Sequence, residues 1–258
     1  MTWRYMRQAK QTRLPTRMLG VAAALLASRK PYLRLSEVRK LYPESMPHHT
    51  AGLGRREQID ARELSAFPYA SICHIWGDRR NGTGFLVEDG RILTAGHIVY
   101  GANLRNIQFP GHSPFQVSGN AQIRCHPNFK QEGDLFDYGI ITPPPQLIAG
   151  ITALPMVKPD LNLLKNVLCE VAGYPQEING MVRYPPHRTP PVDTRLELRL
   201  ENGFLEHKFD TTPGQSGAPI LGHTFSNPQQ WFVIGMHIWG AGDLAPGYLN
   251  RALPISST

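Results

Sequence analysis

The 258-residue sequence is poor in cysteine, with only Cys73, Cys125 and Cys169, and none of them has a C-x-x-C partner or a metal-ligand spacing. That excludes a disulfide scaffold, and the odd number leaves at least one thiol unpaired. The most conspicuous apolar run is Met18 to Ser28, eleven apolar or small residues. A helix needs about 20 to cross a bilayer, so no integral membrane segment is expected. Heptads and internal repeats are missing. His-x-x-x-His and tight His/Asp/Cys clusters are missing too, which argues against a metal enzyme; no metal and no cofactor are expected.

Acidic residues are absent from residues 1–36, which carry eight Lys or Arg. The net charge of +7 is therefore a property of this arm; the rest of the chain sums to −1. No basic face is left on the body for nucleic acid, so none is expected as a partner. A positive region before an apolar run fits an export signal, although Arg29-Lys30 follow the run directly, and an Arg-rich, acid-free arm also fits an organelle presequence. A pro-segment, with Ser36 capping a short helix through Tyr42 ended by Pro43, and an ordinary surface helix fit as well. Residues 1–50 are accordingly set apart from the fold. Secretion or export is the expected location, with organelle and cytoplasm open.

What is abundant is glycine (24) and proline (23). From Pro68 on, short apolar runs alternate with turn residues. Strands are predicted over 69–76, 83–88, 91–95, 121–126, 138–142, 168–173, 194–200, 205–209, 217–221, 230–239 and 247–252. The fold class is all-β. Thr142-Pro143-Pro144-Pro145 cannot continue a sheet ladder, which places a seam between two β halves at about 143–165. Tyr184 to Val192 (YPPHRTPPV) reads as an exposed loop.

Three stretches carry candidate chemistry. In NGTGFLVEDGRILTAGHIVY (81–100), a hairpin delivers His97 behind small residues. In GDLFDYGIITP (133–143), Asp137 stands at the mouth of an apolar strand, where an acid needs a partner; Asp134 is its competitor. In DTTPGQSGAP (210–219), Ser216 lies between glycines. Singly, a satisfied core histidine, a solvated loop aspartate and a plain turn would account for each.

Taken in the order His97, Asp137, Ser216, the set resembles the trypsin-like serine peptidases, with IRCHPNF and VAGYP adding to the match. The resemblance spans roughly residues 55–255. It implies two packed antiparallel six-stranded β-barrels, chymotrypsin-like, with the active site in the cleft between them. The protease domain would occupy 51–258, its first barrel about 55–145 and its second about 160–255. It also implies a serine endopeptidase with a His97-Asp137-Ser216 triad, a protein or peptide substrate, an oxyanion hole at Gly214 and Ser216, and a monomer.

Thr-x-x-Gly-x-Ser-Gly at 211–217 and His237 in VIGMHIWG resemble the glutamyl endopeptidases. They imply a substrate pocket at Thr211 and His237 and a preference for Glu or Asp. Gln215 replaces the aspartate that precedes the serine in animal trypsins, and no I-V-G-G start is visible. Activation by burying a new N-terminus against that aspartate is therefore not expected. The relatives instead imply trimming near Arg55-Arg56 and Glu57. A catalytically silent binding module on the same fold, or an esterase or acyltransferase using the same triad, fits these residues as well.

Overall fold

The computed structural model describes residues 56–77, 80–119, 122–129, 134–160, 167–175, 186–189, 192–193, 198–240 and 249–255. The basic arm with its apolar run, the Ser36–Tyr42 helix and Arg55 fall outside them.

The chain folds as two antiparallel sheets. The first uses β2 (Ile72–Gly77), β3 (Arg80–Leu86), β4 (Ile92–Ala95), β5 (Leu104–Gln108), β6 (Phe115–Ser118), β7 (Ile123–Cys125) and β8 (Tyr138–Ile141). Their order is β6-β5-β2-β3-β4-β8-β7. The second uses β1 (Glu57–Gln58), β9 (Val167–Gly173), β10 (His187–Arg188), β11 (Val192–Asp193), β12 (Leu198–Glu201), β13 (Phe204–His207), β14 (Pro219–Thr224), β15 (Asn227–Trp239) and β16 (Asn250–Pro254). These run β1-β10-β9-β14-β15-β16-β13-β12, with β11 also on β9. Two antiparallel sheets rich in hairpins are the architecture of the two-barrel fold. Among the described residues the sheets hold seven and nine strands rather than six each, because short pairs such as β1, β10 and β11 extend the second. β10 also corrects the reading of 184–192 as a loop: His187 and Arg188 pair with β9 on one side and β1 on the other. Short helical turns include α1 (Ala61–Leu64), just after β1, and α2 (Gly96–Val99), directly after β4.

Alternation explains where the core sits. Successive side chains of a strand face opposite sides. On β9 and β15, Val167, Cys169, Val171, Phe232 and Ile234 enter the second sheet's own core. Their neighbours Ala172, Val233, Met236 and Ile238 join the larger core shared with the first sheet. Both faces are therefore covered, which is why WFVIGMHIW is apolar throughout instead of alternating. The three cysteines are free thiols. Burial pushes the Cys125 thiol up to about 11, with the Asp137 charge adding to it.

Besides the two-residue strands β1, β10 and β11, pattern reading missed β5 and β6. Inward positions of β5 are Arg105 and Ile107, at 1% and 0% exposure. A charged residue at an inward site breaks the apolar alternation, and the strand is hidden by it.

The N-terminal segment is tied to the second sheet by a buried carboxyl. Glu170 on β9 is fully buried. It accepts a hydrogen bond from the Tyr69 hydroxyl at 2.8 Å, and that hydroxyl accepts one from Arg188 Nη1 at 2.5 Å. Arg188 also pairs with Glu57 and Glu63. Glu170 Oε2 has no partner among the described residues. Burial pushes the Glu170 carboxyl up to about 7, against the Tyr69 hydrogen bond and the Arg188 charge, with Glu63 and Glu57 raising it further.

Between the ordinary value of 4.5 and about 7, the folded chain holds a proton that the unfolded chain releases. Stability therefore falls as pH rises through that window and is level on either side, a change of roughly 3 kcal/mol from this group. Denaturant unfolding at pH 5 and pH 7.5 checks it: Glu170→Gln is expected to show a smaller loss between the two pH values than the wild type.

Candidate active site

β4 ends at Ala95, and the chain turns at once into α2, which carries His97. Two arginines hold the C-terminal carbonyls of this one-turn helix. Arg80 Nη1 donates to His97 O and Tyr100 O at 2.9 and 2.5 Å. The buried Arg105 donates from Nε and Nη2 to Ile98 O at 3.0 and 2.8 Å. The inward arginine that obscured β5 thus braces the turn presenting His97.

Asp137 directly precedes β8 and is 1% exposed. It grips His97 twice. Oδ1 accepts the His97 backbone N–H at 2.7 Å, and Oδ2 lies 2.7 Å from His97 Nδ1. The second contact requires a proton on Nδ1, because the carboxylate can only accept; Nε2 is then the bare, basic nitrogen. Asp134 sits in the preceding 3₁₀ turn, and its carbonyl accepts the Asp137 N–H at 3.1 Å.

The segment from Thr211 to Gly217 forms a turn closed on itself. Gln215 N donates to Thr212 O at 3.1 Å, and the Gln215 side-chain oxygen accepts from Thr212 N at 3.0 Å. Gln215 is fully buried. Gly214 has φ 91°, a left-handed conformation that glycine adopts without strain. Gln215 and Gly217 donate their N–H groups to Thr212 O and His237 O. Gly214 and Ser216 make no such donation among the described residues, so two amides two residues apart are left available.

Gly217, at φ 87°, faces the first sheet so closely that a Cβ there would lie 2.1 Å from Thr83 O and 2.6 Å from Thr94 Oγ1. Thr83 is the joint between the sheets. Its N–H donates to Ser216 O at 2.8 Å, and its hydroxyl donates to Gly214 O at 2.9 Å. The same hydroxyl accepts from Tyr174 N at 2.9 Å, and Thr83 O accepts from Thr94 Oγ1 at 2.7 Å. Sequence reasoning passed over Thr83; its position between two glycines in NGTGF was the available sign of a crowded backbone.

Thr211 and His237, both 3% exposed, are linked through side chains the sequence did not single out. Thr211 Oγ1 accepts from Asn250 Nδ2 at 3.0 Å, and Asn250 stands opposite His207 across β16 and β13. His207 Nε2 and His237 Nδ1 are 3.1 Å apart. One proton is shared between them. His207 Nδ1 has no partner among the described residues, so placing the shared proton on His207 Nε2 avoids stranding a donor there. His237 then carries its own proton on Nε2. Burial, and next the His97 charge, pull the His237 imidazole down to about 3. Burial, and next His237, hold His207 well below its ordinary value. Both rings are therefore neutral at physiological pH.

A family model described as Trypsin matches residues 62–257. Among solved structures, a Glu endopeptidase in complex with MPD is similar, with a TM-score of 0.60, 18% identity, and coverage of 79% of this chain and 92% of that one. A serine protease of human pathogenic astrovirus aligns at 20% identity and a TM-score of 0.47, over 79% of this chain and 96% of that one. No match to the chain was found among curated proteins.

Thr83→Val keeps the shape at the joint and removes the hydroxyl. It strands Gly214 O and Tyr174 N, each worth about 1–3 kcal/mol when left buried and unpaired. Equilibrium unfolding is expected to show a loss of a few kcal/mol, against little change for Thr142→Val outside the joint.

Proposed function

The chain belongs to the trypsin family of serine peptidases, and on that premise we propose that it is a serine endopeptidase acting through Ser216, His97 and Asp137. The observation that carries this reading is the double grip of Asp137 on His97, on the backbone N–H and on Nδ1. A serine hydroxyl is a weak nucleophile until a base removes its proton. With Nδ1 protonated toward Asp137, His97 Nε2 is free to take the Ser216 proton. It then returns that proton to the leaving amine, while the Asp137 carboxylate stabilises the imidazolium formed in between.

As Ser216 Oγ adds to the peptide carbonyl, negative charge gathers on the carbonyl oxygen. The Gly214 and Ser216 N–H groups are the donors for it, each worth about 3 kcal/mol in the transition state. Collapse expels the amine and leaves an acyl-Ser216 ester. A water deprotonated by His97 attacks this ester and releases the acid.

For the substrate side chain we propose a preference for Glu, with Thr211 and His237 in the pocket. The similarity of the fold to a Glu endopeptidase supports the fold only; the buried His207-His237 pair is the chain's own argument. An imidazole pulled down to about 3 meets a carboxylate as a neutral N–H donor, with its tautomer set by His207. The Thr211 hydroxyl, which already accepts from Asn250, keeps its own proton to donate.

A fluorophosphonate probe is expected to label the full-length wild type and to leave Ser216→Ala unlabelled; absence of labelling in a folded wild type would favour a binding module. A peptide library should show cleavage after Glu. Cleavage after Lys, Arg or Phe with Glu ignored would remove the pocket assignment. Turnover of esters without peptides would favour an esterase.

The pH dependence separates the two forms of the pocket. His237 stays neutral above about pH 3, so the ratio of kcat/KM for matched Glu and Gln peptides is expected to be level between about pH 6 and 8. A steep fall of that ratio with rising pH would mean instead that binding requires an imidazolium.

A further inference from the structure

One charged contact near the serine loop is not used by the mechanism. Asp210 begins the stretch that ends in Ser216 and is only 3% exposed. Arg56, in the segment just ahead of β1, places its Nε 3.4 Å from Asp210 Oδ1. The residues on both sides of Asp210 are held by one side chain: Asn250 Nδ2 donates to the backbone Phe209 O at 2.7 Å and to the Thr211 hydroxyl at 3.0 Å. Next comes the self-closed turn of Thr212 and Gln215, then Ser216 and its contact with Thr83. The root of the loop and its tip thus belong to one braced unit.

A carboxylate with so little access to water needs a cation or donors close by. Loss of the Arg56 guanidinium weakens that compensation, and a less compensated buried carboxylate draws water in or swings outward. Either movement shifts Phe209 to Thr211 and carries along the turn that presents the Gly214 and Ser216 amides. The Gln215 side-chain oxygen accepts the Thr212 N–H, and its Nε2 has no hydrogen-bond partner among the described residues, so it does not bond Asp210.

We propose that Arg56 is a positioning residue for the serine loop: its guanidinium neutralises Asp210 and holds the root of the loop that carries Gly214 and Ser216. The inference rests on the serine-peptidase reading of Ser216. It also bears on trimming: a cut on the C-terminal side of Arg56 would remove the cation, so Arg56 belongs to the active chain. β1, next in sequence, fastens the segment to the second sheet through its pairing with β10 and the Glu57–Arg188 ion pair.

The test uses the full chain and follows the rate of Ser216 labelling by a fluorophosphonate, with circular dichroism melts to confirm folding. Arg56→Ala is expected to label about tenfold or more slowly than wild type, in keeping with the loss of a buried charge partner. Arg56→Lys is expected to stay within about threefold, because it keeps the charge. Added methylguanidinium should accelerate Arg56→Ala and leave the wild type unchanged. In peptide hydrolysis the loss should fall on kcat with KM little altered, since the amides displaced act on the transition state.

The double variant Arg56→Ala/Asp210→Asn removes the charge that needs an answer, and it is expected to recover labelling. It serves the same purpose if Arg56→Ala alone fails to fold. Labelling of Arg56→Ala at the wild-type rate would overturn the inference. So would a loss shared equally by Arg56→Lys and insensitive to both methylguanidinium and Asp210→Asn. A folded wild type that is not labelled would overturn the serine-peptidase reading, and the inference with it.

Discussion

Everything at the site depends on how the two sheets are joined, and hydrogen bonds of one buried residue tie the serine loop across that join. Thr83 lies in β3 and is fully buried. Its N–H and hydroxyl reach across to Ser216 O and Gly214 O. His97 and Asp137 belong to the first sheet's half of the molecule and Ser216 to the second, so a shift of one sheet against the other would displace His97 and Asp137 relative to Ser216. Apolar packing in the shared core is non-directional and would tolerate small slips. The Thr83 contacts are directional, and the missing side chain at Gly217 lets the two backbones approach closely enough to form them.

The same economy governs how charge is placed. Asp137 touches both the ring and the backbone of His97. His207 and His237 are treated in the opposite way. They are buried against each other, ring to ring, and they stay neutral. One histidine is tied to a carboxylate and the pair is kept as fixed dipoles. The environment, not the residue type, assigns the roles. The arginines follow a third pattern: Arg80 and Arg105 spend their donors on backbone carbonyls at the end of α2, holding a one-turn helix that has no length to stabilise itself.

The motifs were legible because they combine a reactive residue with small neighbours in TAGH and GQSGAP. The apolar runs of β9 and of the later part of β15 were legible because both of their faces are covered. What escaped has physical causes. β5 carries an inward arginine, so its pattern reads as polar. The pair of residues forming β10 lies among prolines, where only a two-residue ladder fits, and such a ladder leaves no periodicity. Thr83, His207 and Asn250 act through contacts to residues 30 or more positions away, as in His207 to His237 and Asn250 to Thr211. No local pattern encodes a partner at that distance. Asp137 was separable from Asp134 because an acid directly before a buried strand demands an explanation, while one a turn earlier does not.

Gln215 connects these observations to the question of how the serine loop keeps its shape. At the residue before the serine, an aspartate would require a cation brought in from elsewhere in the chain. Gln215 is neutral, and its backbone N–H and side-chain oxygen both bond to the Thr212 backbone, three residues back within its own turn. The tip of the loop therefore carries no charge that must be answered from outside. The charged residue of the loop lies instead at its root, at Asp210, where the adjoining backbone is clamped by Asn250 and where Arg56 is in reach. Moving the charge from tip to root changes what the N-terminal segment has to supply. A side-chain guanidinium, held in place by the strand beyond it in the chain, can meet a carboxylate at the root without any new chain terminus. In such a loop the geometry of the Gly214 and Ser216 amides is set by short-range hydrogen bonds, and the electrostatic tie acts one step away from the chemistry, on the backbone that leads to it.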